Sequence, residues 1–162
     1  MLHAMSSAPR ILIVYASQHG GTVSLVEAVE RGALREPGTV VRKLHGTVAG
    51  LDDLLWCEAL VIATPENFGY MAGAVKDFFD RTFYPAQGRV DQLPYAVVVR
   101  AGNDGSFALA AVERIARGYP LKKVAEPVLW VGDEPADDKL VSCEELGQTM
   151  SASLAFGLFP RR

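Results

Sequence analysis

Four short apolar runs constrain this chain more than any other feature. They are Arg10-Ile-Leu-Ile-Val-Tyr15, Ala59-Leu-Val-Ile-Ala63, Tyr95-Ala-Val-Val-Val-Arg100 and Pro127-Val-Leu-Trp-Val131. Continuous runs of this length, without polar alternation, read as strands buried on both faces, the condition of a parallel sheet covered by helices. A fifth run, Thr39-Val-Val-Arg-Lys-Leu44, is more polar and reads as an edge strand. Helical spacing fills the intervals: Val23, Val26, Val29 and Ala33, then Ala72, Val75, Phe79 and Phe83. On the outer face of the second helix, Lys76/Asp80 and Asp77/Arg81 are spaced for ion pairs. Phe107–Arg117 is a third helix, and Asp138–Leu154 a fourth with Cys143, Leu146, Met150 and Leu154 as its core stripe. Asp52–Cys57 is at most a short helix. Glu36-Pro-Gly38, Tyr84-Pro85 and Gly132–Pro135 read as joins. Strands alternating with helices imply right-handed crossovers. The expected fold is therefore α/β, with a five-stranded parallel sheet covered by helices; we take it as a three-layer sandwich in the order 2-1-3-4-5.

The chain has 162 residues, enough for one domain with a substantial core, and we read 1–162 as a single domain with residues 1–9 flexible. The formal charge of −3, with basic residues scattered, gives no support for nucleic-acid binding. Met1–Pro9 lacks the apolar segment of a signal peptide, and no run is long enough to span a bilayer. Cys57 and Cys143 form no CxxC pair and read as reduced, buried thiols of a cytoplasmic protein. The apolar end, Ala155-Phe-Gly-Leu-Phe-Pro-Arg-Arg162, either docks on the domain or meets a partner subunit.

The junctions after the strands carry the chemistry. In a doubly wound sheet, ligands bind beyond the carboxyl ends of strands, where the strand order reverses. The first strand runs into Ser17-Gln-His-Gly-Gly-Thr22, rich in glycine and hydroxyls and opening a helix. Free amides and the positive end of a helix dipole favour an anion there, with Ser17, His19 and Thr22 as further donors around Gly20 and Gly21. The plainer reading is a strand-to-helix turn capped by Ser or Thr. The third strand runs into Thr64-Pro-Glu-Asn-Phe-Gly-Tyr70, where Pro65 and Gly69 fix a tight excursion. Phe68, Tyr70 and Met71 offer aromatic and sulfur surface to a flat ring, and the loop's amides could bond its polar edge. The alternative is an aromatic loop that merely packs on the next helix. The fourth strand ends at Gly102-Asn-Asp-Gly-Ser106, where Asn103 and Asp104 suit a ring N–H or carbonyl and Phe107 could wall the site. Here the alternative is an Asp or Ser helix cap. In the order 2-1-3-4-5 these three junctions share one crevice. A phosphorylated planar cofactor fits them, with FMN the leading candidate.

Other nucleotide sites fit less well. No Gly-Lys-Thr/Ser follows the first loop, so it is not a Walker A loop. A third glycine is missing, and the second strand ends Lys43-Leu-His45 with no acid for a ribose, against a dinucleotide fingerprint. A receiver domain would need an acidic pair after Tyr15 and an acceptor aspartate after Ala63. Neither is present.

Over nearly its whole length the chain resembles the flavodoxin-like superfamily. Ser17–Thr22 resembles the Ser/Thr-x-Thr-Gly-x-Thr phosphate loop of flavodoxins, with His19 where threonine is usual. Pro65-Glu-Asn-Phe-Gly-Tyr-Met71 followed by Gly73-Ala-Val-Lys-Asp-Phe-Phe-Asp80 resembles NAD(P)H-dependent FMN reductases and WrbA-type quinone reductases. The third junction matches more loosely. The resemblance implies FMN held by Ser17, His19, Gly20, Gly21, Thr22, Pro65, Glu66, Asn67, Phe68, Gly69, Tyr70, Gly102, Asn103 and Asp104, with no metal and no catalytic side chain. It also implies ping-pong chemistry, in which NAD(P)H as co-substrate reduces the flavin and a quinone-like or other small acceptor reoxidises it. Family members are often homodimers or homotetramers.

The competing reading is a flavodoxin, an FMN electron carrier that docks on redox partners. Carriers are strongly acidic around the flavin edge, whereas here 16 Lys and Arg face 19 Asp and Glu. That weak polarity and the second loop favour the enzyme. Against it, no segment corresponds to the insertions that close WrbA-type sites, and no proton donor follows the fourth strand. A divergent member without flavin is the third reading. Arg100 reads as an ion-pair member, with a long-range effect on the ring the alternative. His45 reads as a solvated loop histidine, with an approach to the phosphate the alternative.

Overall fold

Each of the five expected strands takes its place in one twisted sheet. The computed structural model describes residues 7–133 and 137–160. Most of the stretch expected to be flexible, part of the Gly132–Pro135 join and the last two arginines lie outside the described residues. Pro9, the last residue of that stretch, is buried, and its carbonyl accepts the amide of Val40 at 2.8 Å.

The chain runs β1 (Arg10–Tyr15), α1 (Gly21–Ala33), β2 (Val40–His45), α2 (Leu51–Trp56), β3 (Ala59–Asn67), β4 (Tyr70–Met71), α3 (Gly73–Ala86), β5 (Pro94–Ala101), α4 (Ser106–Gly118), β6 (Lys122–Lys123), β7 (Val128–Val131) and α5 (Asp137–Ala155). The sheet runs β2-β1-β3-β5, and the fifth position is shared by two pieces. β6 pairs with the start of β5 at Pro94 and Tyr95, and β7 with its end, Val98 to Ala101. Ala125-Glu-Pro127 separates the pieces, and proline has no N–H for the ladder. The topology is thus the expected 2-1-3-4-5, with a broken last strand and one antiparallel addition, β4 on β3. Tyr84-Pro85 is not a join: α3 continues through Pro85 to Ala86. In a last turn a missing N–H removes a single intrahelical bond.

Two cores flank the sheet, sorted by strand parity. Leu12, Val14, Leu60, Ile62, Val97 and Val99 face α3 and α4, where Val75, Phe78, Phe79 and Val112 are buried. Ile11, Ile13, Val61, Ala63, Ala96 and Val98 face α1 and α5, where Val29, Cys143, Leu146, Met150 and Leu154 are buried. The expected pairs on α3 form, Lys76–Asp80 at 2.6 Å and Arg81–Asp77 at 2.8 Å. Burial in this apolar layer pushes the Cys143 thiol up to about 12, leaving it protonated and inert. α5 ends in a Schellman turn: Gly157 has φ +70°, and the amides of Gly157 and Leu158 return to Leu154 and Ser153. Beyond it Phe159 packs against the α1/α5 core, while Phe156 and Leu158 are exposed. No described helix is long and apolar enough to cross a membrane.

α1 and α5 approach each other through two glycines. A methyl on Gly32 would run into the Glu144 carbonyl, and one on Gly147 into the Val29 carbonyl. Backbone cannot retreat as a flexible side chain can, so overpacking here costs about 1–3 kcal/mol. Gly147→Ala should therefore lower the melting temperature by roughly 2–10 °C in a chain of this size. Gly73→Ala, with nothing near its added methyl, should be neutral or slightly stabilising. Equal melting temperatures for the two variants would show that the interface has slack.

Candidate functional site

Strand register sets the site. Tyr15 of β1 lies level with Ala63 of β3, Ala63 with Val98 of β5, and Pro65 with Arg100. The three following junctions therefore leave the sheet at one edge. They meet around a cleft of about 140 Å³. The first junction contributes Ser17, Gln18, His19, Gly21 and Thr22, the second Pro65, Glu66 and Asn67, the third Arg100, Ala101 and Gly102.

In the first junction the Ser17 hydroxyl accepts the Gly20 amide at 3.0 Å, which shapes the loop. Gly20 is left-handed at φ +83°, a conformation that favours glycine. No side chain caps α1, and its first turn carries no acid. The Ser/Thr-capped turn weighed from sequence is therefore absent, and the first amides of a 13-residue helix are left without a side-chain acceptor. Thr22 is buried and His19 exposed.

The second junction differs in form from the expected loop. β3 continues through Thr64, Pro65 and Glu66 to Asn67, then turns back as β4. Phe68 and Gly69 occupy the turn with φ of +51° and +69°. Two left-handed central residues make a type I′ hairpin turn, the geometry that matches strand twist. Asparagine or glycine is usual at the first position; a phenylalanine there costs about 1–2 kcal/mol. Phe68 projects fully into solvent and Tyr70 is exposed, but Met71 is buried in the α3/α4 core and offers the site no surface.

Two β3 side chains fix this hairpin. The buried Thr64 hydroxyl accepts the Ala72 amide at 2.9 Å and donates to the Pro65 carbonyl at 2.8 Å. Glu66 accepts the amides of Gly105 at 3.0 Å and Ala108 at 2.9 Å, so its carboxylate caps α4. A carboxylate at a helix N-terminus is favourable on both hydrogen-bonding and dipole grounds. The Glu66 side chain is thus occupied, although it lines the cleft.

In the third junction Gly102, Asn103 and Asp104 are exposed, and the Asp104 carboxylate accepts the Ser106 amide at 3.2 Å. That bond is the turn-and-cap alternative for Asp104. Phe107 is exposed and, with Gly69, Tyr70 and Arg114, borders an open groove of about 610 Å³. The cleft, open to solvent on one side, has room for a phosphate-sized group. Gly20, Phe68, Gly69, Tyr70, Asn103 and Asp104 do not line this cleft; Gly69 and Tyr70 border the open groove instead.

Two side-chain expectations change. His45 is held in its own turn, Nδ1 lying 2.7 Å from the Thr47 hydroxyl with the ring edge-on to Tyr15, and it does not line the cleft. Arg100 has no carboxylate partner among the described residues. Its guanidinium lies 4.4 Å from the centre of the Trp130 ring and donates to the Asp133 carbonyl at 3.0 Å. It fills the space a methyl on Gly21 would need, and its Nε is buried without an acceptor. The sequence marks only a cation at the carboxyl end of an otherwise apolar strand; its contacts with Gly21, Trp130 and Asp133 are tertiary.

Comparison with known proteins accords with this geometry. Residues 46–121 match the family described as NADPH-dependent FMN reductase. A flavodoxin of Aquifex aeolicus is 33% identical over 82 residues, 51% of this chain and 44% of that protein. An NAD(P)H dehydrogenase (quinone) of Geobacter sulfurreducens is 30% identical over 96 residues, 44% of this chain and 47% of that protein. The matches thus span less than half the length of either relative. Among solved structures, a flavodoxin from the domain Archaea superposes with a TM-score of 0.79 at 22% identity, covering 90% of this chain and 99% of that one. The chain thus has a flavodoxin-like fold and, over just under half of its length, a segment similar to NADPH-dependent FMN reductases.

Proposed function

We propose that this chain binds FMN at the three-junction cleft and acts as an NAD(P)H-dependent oxidoreductase toward a quinone-like or other small acceptor. The observation that carries the reading is the convergence of the uncapped α1 N-terminus, the Pro65–Asn67 end of β3 and the Arg100–Gly102 end of β5 on one cleft. The residues present fit the cofactor: an orphaned buried cationic nitrogen, free helix amides and a flat aromatic rim are what a phosphorylated planar ring requires. Ser17, His19, Gly20, Gly21 and Thr22 would hold the phosphate. The peptide groups of Pro65 to Tyr70, with Gly102, Asn103 and Asp104, would hold the ring edge. The family match over residues 46–121, covering the second and third junctions, supports the same assignment.

When bound, FMN supplies the redox chemistry itself, and the protein contributes binding, orientation and electrostatics. The chain's own part is positional. α1 amides and loop hydroxyls would anchor the charged end, and the hairpin would keep one ring face against protein. Exposed Phe68, Tyr70 and Phe107 leave the other side open to a donor and then an acceptor. No side chain is assigned a proton-transfer role. A small-molecule acceptor and a homodimer or homotetramer belong to the same proposal. The second reading, an electron carrier, is favoured by the Aquifex relative. Against it stands the weak net charge of −3, which gives little steering toward a basic partner.

Purified protein is expected to be yellow or to quench added FMN fluorescence, and bound flavin should bleach anaerobically with NADPH or NADH. Bleaching by dithionite alone would make the chain a carrier; folded protein that binds no FMN would reject both readings. Phe68→Asn tests the hairpin separately. Asparagine tolerates the left-handed turn, so the flavin-free variant should melt about 1–4 °C higher. Loss of the aromatic face should weaken FMN about 2–10-fold. Unaltered FMN affinity would remove Phe68 from the ring site.

A further inference from the structure

Arg100 occupies a position that is unfavourable unless an anion is nearby. Parity places it on the α1 face of the sheet: Ala96 and Val98 are buried beneath α1 and α5, and Arg100 is the next residue of that set. It therefore emerges at the first turn of α1, with its guanidinium packed on Gly21. A helix N-terminus carries a partial positive charge, so a cation there is at the wrong end of the dipole. Arginine cannot escape by losing its proton. Among the described residues no carboxylate neutralises it, its Nε has no acceptor, and its one hydrogen bond goes to the neutral Asp133 carbonyl. The Trp130 ring beneath fixes the orientation and adds a weaker attraction. Two sources of positive potential thus converge on the cleft beside Ser17, His19 and Thr22. An anion in the cleft relieves both at once.

Resting on the FMN reading above, we infer that Arg100 is the counter-charge of the cofactor's phosphate and makes this site select FMN over uncharged riboflavin. The two ligands share the ring and the polyol chain and differ only in the phosphate. A cation held against α1 therefore acts on one and not the other. Trp130, Gly21 and the Asp133 carbonyl position the guanidinium; the α1 amides and loop hydroxyls supply the remaining bonds.

The experiment compares dissociation constants of FMN and riboflavin, by fluorescence quenching, for the native chain, Arg100→Met and Arg100→Lys. Native protein is expected to prefer FMN strongly. Arg100→Met should weaken FMN about 10–100-fold, the usual scale for a charge-assisted bond. Riboflavin affinity should stay within about twofold, which also reports that the variant is folded. Arg100→Lys, which keeps the charge but not the planar fork, should fall between the two for FMN. Equal losses for both flavins in Arg100→Met would make Arg100 structural and overturn the inference. So would unchanged FMN affinity, or a lysine variant as weak as the methionine one. Native protein that binds neither flavin would instead remove the cofactor reading itself, and the inference with it.

Discussion

The rim of this molecule depends on the overrun of one strand. β3 carries four residues beyond Ala63, the point where its pairing with β1 ends. Two of those residues reach across to other elements. Thr64 holds the amide of Ala72, immediately before α3, and Glu66 holds two amides at the start of α4. Bonds to a charged acceptor contribute about 1.5–3 kcal/mol each. Because alternate residues face opposite sides, Thr64 and Glu66 address α3 and α4 while Pro65 and Asn67 turn toward α1 and the cleft. A single extended segment therefore sets the position of the hairpin, the third junction and one wall of the cleft.

Charge in the cleft runs against charge in the chain as a whole. The net balance is −3, yet the cleft gathers an uncapped helix N-terminus and an arginine with no carboxylate partner among the described residues. Over a screening distance of about 8 Å at physiological ionic strength, it is the local set that a bound group feels. Glu66, the one acid among the described residues lining the cleft, is already engaged at α4. An anion entering the cleft meets donors first.

Much of this architecture was legible in the sequence because buried parallel strands are written as uninterrupted apolar runs. β1, β5 and β7 begin and end within a residue of the expected positions. β3 was underestimated because Thr64-Pro-Glu-Asn67 carries no apolar run. A proline argued for a loop, yet it sits past the ladder with β1, where its missing N–H is not needed. Met71 was read as part of an aromatic loop because sequence spacing alone does not tell which way a short hairpin strand faces. The first piece of the broken fifth strand, Lys122-Lys123, had no apolar signal at all. That three junctions leave the sheet at one edge was legible because each follows an apolar run. The roles of Glu66 and Arg100 were not, since each depends on contacts to elements 30 or more residues away.

The turn at Phe68 carries a further implication. A hairpin of this type is least strained with asparagine or glycine, and the chain instead places its most exposed aromatic there. Strain held by surrounding structure is characteristic of ligand-contacting segments. Here Thr64 and the β3–β4 pairing keep the turn in place, so the aromatic face is presented before any ligand arrives. In the proposed reading, such preorganisation lowers the ordering cost of binding a flat ring. It also leaves the ring's outer face uncovered, because no described segment folds over Phe68, Tyr70 and Phe107. In that reading the openness would suit a donor and an acceptor that visit one face in turn.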